Sequence, residues 1–171
     1  MSYLEALGVP PDPTRYLTAE VCVNGHCTTR QLEYERALAA KSCPQCGAET
    51  IRACPDCQAP IRGYREIEGG VRITRDGAPN HCHNCGAAFP WTAAKLAAAK
   101  EHATELDGLD EAEKTRLQGA IDDLAAGGPR TELAASRFKS LMSKAGQAVG
   151  SGLYKIVLDV ASEAAKKAIT G

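Results

Sequence analysis

The spacing of apolar positions changes character along the chain. IRGYREIE and VRITRD, between residues 61 and 76, are β-rich runs flanking the turn signal Gly69-Gly70, and together they predict a β-hairpin. After Trp91 the period becomes helical. Thr92 can cap a helix running to about Leu106, and Asp110 with Glu113 reads as a capping box for a second helix to about Ala126, closed by Gly127-Gly128-Pro129. Thr131 then opens the longest apolar stripe. From Phe138 through Leu153 and Val157 to Ala168 it keeps helical spacing for roughly eight turns. Gly150-Ser151-Gly152 can kink it, because two interior glycines cost about 2 kcal/mol relative to alanines. The stripe also shifts after Ile156, where the same heptad would place Asp159 and Glu163 on the seam.

The predicted layout is an N-terminal extension (1–21), a small β domain (22–91), a helical hairpin (92–130) and a long amphipathic C-terminal helix (131–171). Composition sharpens the boundary at Trp91. All eight cysteines lie between Cys22 and Cys85, whereas the later residues are rich in Ala, Glu, Lys and Leu. At 171 residues, two unequal parts suit the chain better than one core.

The net charge of −1 argues against a protein built chiefly to coat nucleic acid. Locally the balance is uneven. Residues 92–130 carry five basic and eight acidic side chains, residues 131–171 six basic and three acidic, which suggests mutual packing of the two or attraction to an acidic surface. MSYLEALGVPPDPTRYLTAEVC lacks the basic start and apolar core of a secretory signal, and no stretch offers 18 uninterrupted apolar residues. The expected location is therefore cytoplasmic. In a reducing compartment, cysteines serve metal sites better than disulfides.

The cysteines fall into half-sites: Cys22 with Cys27, Cys43 with Cys46, Cys54 with Cys57, and Cys82 with Cys85. Each Cys-x-x-Cys turn can direct two thiolates at one ion while backbone amides stabilise their charge. Pro44 and Pro55 fix φ inside two of the turns, and Gly47 and Gly86 suit the positive φ with which such turns close. A sequential pairing joins the first two half-sites and the last two; a nested one puts Cys43, Cys46, Cys54 and Cys57 on one ion. The intervening segments favour the sequential pairing, since the second holds the predicted hairpin. In the first half-site, CVNGHC offers both His26 and Cys27. Cysteine symmetry favours Cys27, whereas the Asn24-Gly25 turn can present His26.

The series CVNGH, CPQCGAETI, CPDCQAPIRG, a hairpin, CHNCGAAFPWT and RFKSLMSKAG resembles an uncharacterised bacterial double zinc-ribbon family from about Cys22 onward. The resemblance implies two tandem zinc ribbons holding two structural Zn2+ ions, and a helical tail. In that family Cys-x-Asn-Gly-His supplies the first half-site and the residue after His is generally not Cys. It therefore implies the ligand sets Cys22, His26, Cys43, Cys46 and Cys54, Cys57, Cys82, Cys85, with Cys27 a departure from the pattern. It implies no activity.

Four-ligand sites rich in thiolate leave no position open for substrate, so no enzyme is expected. His81, His83 and His102 read as polar neighbours of a zinc turn or as solvated helix positions. Trp91 reads as packing between ribbon and helices. Arg62, Arg65, Arg72 and Arg75 with Tyr64 could bind nucleic acid, although Glu66, Glu68 and Asp76 interrupt them. The C-terminal stripe can pack on the chain's own helices, pair with other copies, or lie on a membrane with its lysines toward acidic lipid. The expectation is a non-enzymatic scaffold or adaptor with a protein partner, the ribbons for recognition and the tail for self-assembly or docking.

Overall fold

Leu17, Ala19 and Val21 repeat with the period of a strand, and all three are buried. In the computed structural model, which describes residues 15–67, 70–72 and 77–171, they build the start of the first of two compact units, Met1–Thr92 and Ala93–Gly171. The strands of the first unit are β1 (Tyr16–Thr18), β2 (Glu20–Cys22), β3 (Cys27–Thr29), β4 (Thr50–Ile51), β5 (Arg62–Ile67) and β6 (Gly70–Arg72). They form two antiparallel sheets of order β1-β5-β6 and β3-β2-β4. The extension expected over 1–21 is therefore corrected: from Tyr16 the chain is strand, because its alternating apolar side chains have a core to enter.

The predicted hairpin forms between β5 and β6, with Arg65 opposite Arg72 and Ile67 opposite Gly70. Gly70 thus belongs to a strand rather than to the turn. Gly69, Glu68, Arg75 and Asp76 lie outside the described residues. On its other edge β5 meets β1, with Tyr16 opposite Arg65 and Thr18 opposite Arg62. Three steps of β5 match two of β1, a β-bulge, so Arg62 and Arg65 both register on the face that carries Tyr16. Between them, Gly63 meets the backbone of Arg30. A Cβ there would lie 2.0 Å from the Arg30 carbonyl oxygen, which already accepts the Tyr64 amide at 2.9 Å.

The core of this unit gathers Val21, Ile61, Phe89 and Trp91. Two carboxylates are also buried and bonded. Glu20 accepts from the Arg52 guanidinium at 2.6 Å, the Thr28 hydroxyl at 2.7 Å and the Ala40 amide at 3.0 Å; Glu66 accepts from the Tyr34 hydroxyl at 2.6 Å. Burial opposes the charge of Glu20, but the Ala40, Thr28 and Arg52 contacts outweigh it and hold the carboxyl below its ordinary range.

Five helices follow: α1 (Pro90–Thr104), α2 (Glu111–Ala126), α3 (Thr131–Ala145), α4 (Gln147–Val160) and α5 (Glu163–Thr170). Proline suits the first position of α1, where no amide partner is needed, so the helix starts before Thr92 rather than being capped by it. The Asp110–Glu113 capping box is present, with Asp110 accepting the Glu113 amide at 2.8 Å and Glu113 accepting the Asp110 amide at 3.1 Å. Gly127 closes α2 at φ 64.

The single helix expected over 131–171 is corrected to three. It breaks at Gly146, whose φ of 90 and ψ of 145 favour glycine, and again at Ala161–Ser162, where Ser162 accepts the Ala165 amide at 3.2 Å as the cap of α5. The helix runs on through Gly150–Gly152, where the sequence left a kink open. The second break also removes the phase conflict in the stripe. Asp159 and Glu163 face out, paired with Lys95 at 3.5 Å and Lys166 at 3.0 Å. Folded this way, Phe138, Leu153 and Val157 of the stripe are 0% exposed in one cluster with Leu117, Ile121 and Leu124 of α2, and Leu141, Met142 and Ile156 pack half-buried against it. Much of the stripe thus packs on the chain's own helices, one of the three uses set out for it. Charges of the two segments meet within the unit, Lys144 with Glu113 at 2.6 Å, and Lys100 pairs with Asp122 inside the first of them, also at 2.6 Å. Among the described residues no helix is long and apolar enough to cross a membrane.

Two substitutions test this packing. Gly63→Ala is expected to destabilise the first unit by about 3 kcal/mol, since the methyl group must displace backbone rather than a side-chain tip. Loss of hydrogen-exchange protection at β1 and β5 would show it, and unchanged protection would refute the close approach. Leu153→Ala is expected to cost about 2–5 kcal/mol in the helical unit, measured by urea unfolding of the far-ultraviolet helical signal.

Candidate metal centres

Three of the four half-sites are the same local structure. In CPQCGA, CPDCQA and CHNCGA the amide of the first cysteine donates to the alanine carbonyl five residues on, at 2.7 Å (Cys43–Ala48), 2.9 Å (Cys54–Ala59) and 2.8 Å (Cys82–Ala87). The residue after the second cysteine turns back onto the first cysteine's carbonyl, and needs positive φ: 73 at Gly47, 62 at Gln58 and 76 at Gly86. Glycine makes two of these turns readable in sequence. Gln58 is a non-glycine residue held in the left-handed region, for which the sequence carries no signal. The fourth half-site is the β2–β3 turn. Its Cys22 amide donates to the His26 carbonyl at 2.9 Å, and Gly25 sits at φ 90.

These turns bring together Cys22, His26, Cys43 and Cys46 in one group, and Cys54, Cys57, Cys82 and Cys85 in another, the ligand atoms of each lying within 4.8 Å of one another. The halves meet sequentially rather than nested. His26 Nδ1 lies 3.6 Å from Cys22 Sγ, 3.3 Å from Cys46 Sγ and 3.8 Å from Cys43 Sγ, and Cys22 Sγ is 3.8 Å from Cys46 Sγ. In the second group Cys54 and Cys85 are 3.7 Å apart, Cys57 and Cys82 3.6 Å. A disulfide requires about 2.0 Å. Tetrahedral coordination with metal–sulfur bonds of about 2.3 Å and metal–nitrogen bonds of about 2.0–2.1 Å separates sulfurs by about 3.8 Å and sulfur from nitrogen by about 3.5 Å. Both groups fit a four-coordinate metal ion.

Their electrostatics agree. The Ala48 amide, helped by the Asn24 side chain, pulls the Cys46 thiol down to about 6, and the Ala59 amide with the Asn84 side chain does the same to Cys57, also about 6. Cys85 moves the opposite way. The Ala87 amide favours its thiolate, but the neighbouring thiols of Cys57, Cys82 and Cys54, with desolvation, push it up to about 12. Burial raises Cys22. Amides prepare these sulfurs for negative charge, and a cation is needed before all can carry it. The sequence pointed to Asn24 only as a turn residue and did not single out Asn84. Asn24 Nδ2 reaches Cys46 Sγ at 3.5 Å, so each asparagine lies in one half-site and supports a sulfur of the other. Short amides inside otherwise variable ligand turns were the available signal.

Cys27 is outside both groups. Its thiol donates to the Thr29 carbonyl at 3.3 Å, and burial pushes it above its ordinary range. Trp91 belongs to the first unit's core, stacked on Phe89 at 4.7 Å, with its indole N–H donating to the Pro79 carbonyl at 2.9 Å. A Cβ at Gly25 would lie 3.1 Å from the Trp91 Cβ, so the first ligand turn rests on that side chain. His81 and His83 are exposed beside Cys82, and His102 is half-buried in the helical unit.

Residues 15–169 match the model of a family described as an uncharacterized protein conserved in bacteria (DUF2321), and the two clusters fit a double zinc-ribbon-like arrangement. No curated protein and no solved structure matches the chain.

His26→Ala is expected to reduce bound metal from two ions to one, whereas Cys27→Ser keeps both. Elemental analysis of the purified variants decides it, and the reverse pattern would transfer the ligand role to the thiol.

Proposed function

The chain belongs to that bacterial family, and from this premise we propose that it is a non-enzymatic zinc-binding adaptor of the cytoplasm, its two zinc ribbons forming a rigid recognition module and its helical unit a docking partner. The observation that carries the reading is that both ligand sets are complete with four protein donors, so neither leaves a position for water or substrate. One set of three thiolates with an imidazole and one of four thiolates, both with near-tetrahedral edges, suit zinc. When bound there, zinc supplies folding energy rather than Lewis acidity. Reduced thiols in such sites are at home in the cytoplasm.

A second reading, nucleic-acid binding, has one observation in its favour. The β5 bulge puts Arg62 and Arg65 on the face of Tyr16, and the β5–β6 register sets Arg72 opposite Arg65, while Glu66 is buried against Tyr34 and so does not interrupt them. Binding of DNA or RNA that falls steeply with added salt would favour this reading, and no retention at low salt would remove it.

The adaptor reading makes a direct demand. Native mass spectrometry is expected to find two zinc ions per chain, and chelation to unfold the first unit while the helical unit, which has its own core, keeps its structure. A folded first unit after complete removal of metal would overturn the structural role.

A further inference from the structure

The hairpin of α2 and α3 carries a surface groove of about 500 Å³, lined by Arg116 from α2 and by Ser136, Arg137, Ser140 and Leu141 from α3. The Glu113–Lys144 ion pair, at 2.6 Å, marks the register that brings these residues together. Arg116 lies one turn beyond Glu113, and Ser140 and Arg137 lie one and two turns before Lys144, so the antiparallel helices present them on one flank.

Neighbouring charges of the hairpin are matched. Glu113 accepts Lys144 through both oxygens, at 2.6 and 2.7 Å, Asp123 holds Arg130 at 2.6 Å, and Glu111 holds Lys114 at 3.2 Å. Arg116 and Arg137 differ: both are exposed, and neither makes a hydrogen bond or ion pair with a described residue. No acid is among the residues that line the groove. Glu113, the carboxylate nearest Arg116 along its helix, is taken by Lys144, and Glu132 stands a turn before Ser136 in the first turn of α3. The two serines are also uncommitted. Thr104, Thr115 and Thr170 turn their hydroxyls onto carbonyls of their own helices at 2.6–2.9 Å, whereas Ser136 and Ser140 make no hydrogen bond to a described residue. Gly119, one turn beyond Arg116, has nothing within 4 Å of where a Cβ would stand, so the approach from α2 is open.

Two guanidinium forks and two hydroxyls around one groove are donors without an acceptor. A carboxylate brings two oxygens to them; a phosphate monoester brings three terminal oxygens and nearly two charges. We propose that the α2–α3 groove binds a phosphate monoester, with Arg116 and Arg137 clamping the phosphate from the two helices, Ser136 and Ser140 donating to it, and Leu141 meeting the carbon beside the ester. The proposal gives a chemistry to the docking role of the helical unit and rests on that reading.

NMR titration of backbone amides in the full-length, metal-loaded protein tests it. N-acetyl-phosphoserine amide stands for a phosphorylated protein segment, glycerol 3-phosphate for a small soluble ester, and sulfate for a dianion that does not titrate. Saturable shifts centred on residues 116–119 and 136–141 are expected, with a Kd of about 1 mM or tighter, and the tighter ester identifies the source. Arg116→Ala and Arg137→Ala are each expected to weaken binding about tenfold, and Ser140→Ala about threefold. Gly119→Glu is a variant that favours the helix. Its carboxylate, one turn from Arg116, should compete with the phosphate and weaken binding about fivefold. Ester binding should strengthen as pH rises through about 6, where the phosphate loses its second proton, while sulfate binding stays level. Each variant is first shown to keep its helical signal and two ions, so a folding defect is seen separately. No saturable shifts at millimolar ester, shifts centred away from the groove, or affinity unchanged in both arginine variants would overturn the proposal. Release of inorganic phosphate from either ester would instead overturn the non-enzymatic reading, a result distinct from failure to bind.

Discussion

Cysteine sulfurs only 3.6–3.8 Å apart repel one another as thiolates and gain little as neutral thiols, so each cluster is favourable only around a cation. The rest of the first unit depends on that constraint. Its strands run from two to six residues and its apolar core is small, too little to order so many turns alone. Each ligand set ties chain segments more than 20 residues apart, Cys22 to Cys46 and Cys54 to Cys85. Three copies of one backbone turn aim their amides at the sulfurs, so the local structure is already polarised toward the charge it has to stabilise.

The helical unit solves a different problem. Its core is large and apolar, with Leu117, Ile121, Phe138 and Leu153 fully buried, and its charges lie outside as complementary pairs. One unit therefore takes its order from coordination chemistry and the other from apolar burial. The exposed ion pairs add little to that stability and act mainly to fix which faces meet.

Legibility followed the same division. The ligand residues could be read because metal coordination fixes residue type and spacing together, and the capping box of α2 because two specific side chains satisfy two specific amides. The helix breaks were harder. A stripe keeps its period across Gly146 and Ser162, and only the phase conflict at Asp159 and Glu163 signalled that the helix could not be continuous. The first two strands were missed because Leu17, Ala19 and Val21 alternate over too short a run to stand out before a cysteine-rich segment. Burial of Glu66 and the bulge at Arg62–Arg65 depend on contacts with Tyr34 and β1, which lie some 30 or more residues away in sequence.

The position of Trp91 has a practical consequence. It is the chain's single tryptophan, and its indole is wedged between the turn that presents His26 and the loop that leads to Cys82. The helical unit contains Tyr154 but no tryptophan. Excitation at the red edge of the protein absorption band therefore illuminates the metal-binding unit alone, and the emission of this one fluorophore follows events at both coordination sites without any label being attached.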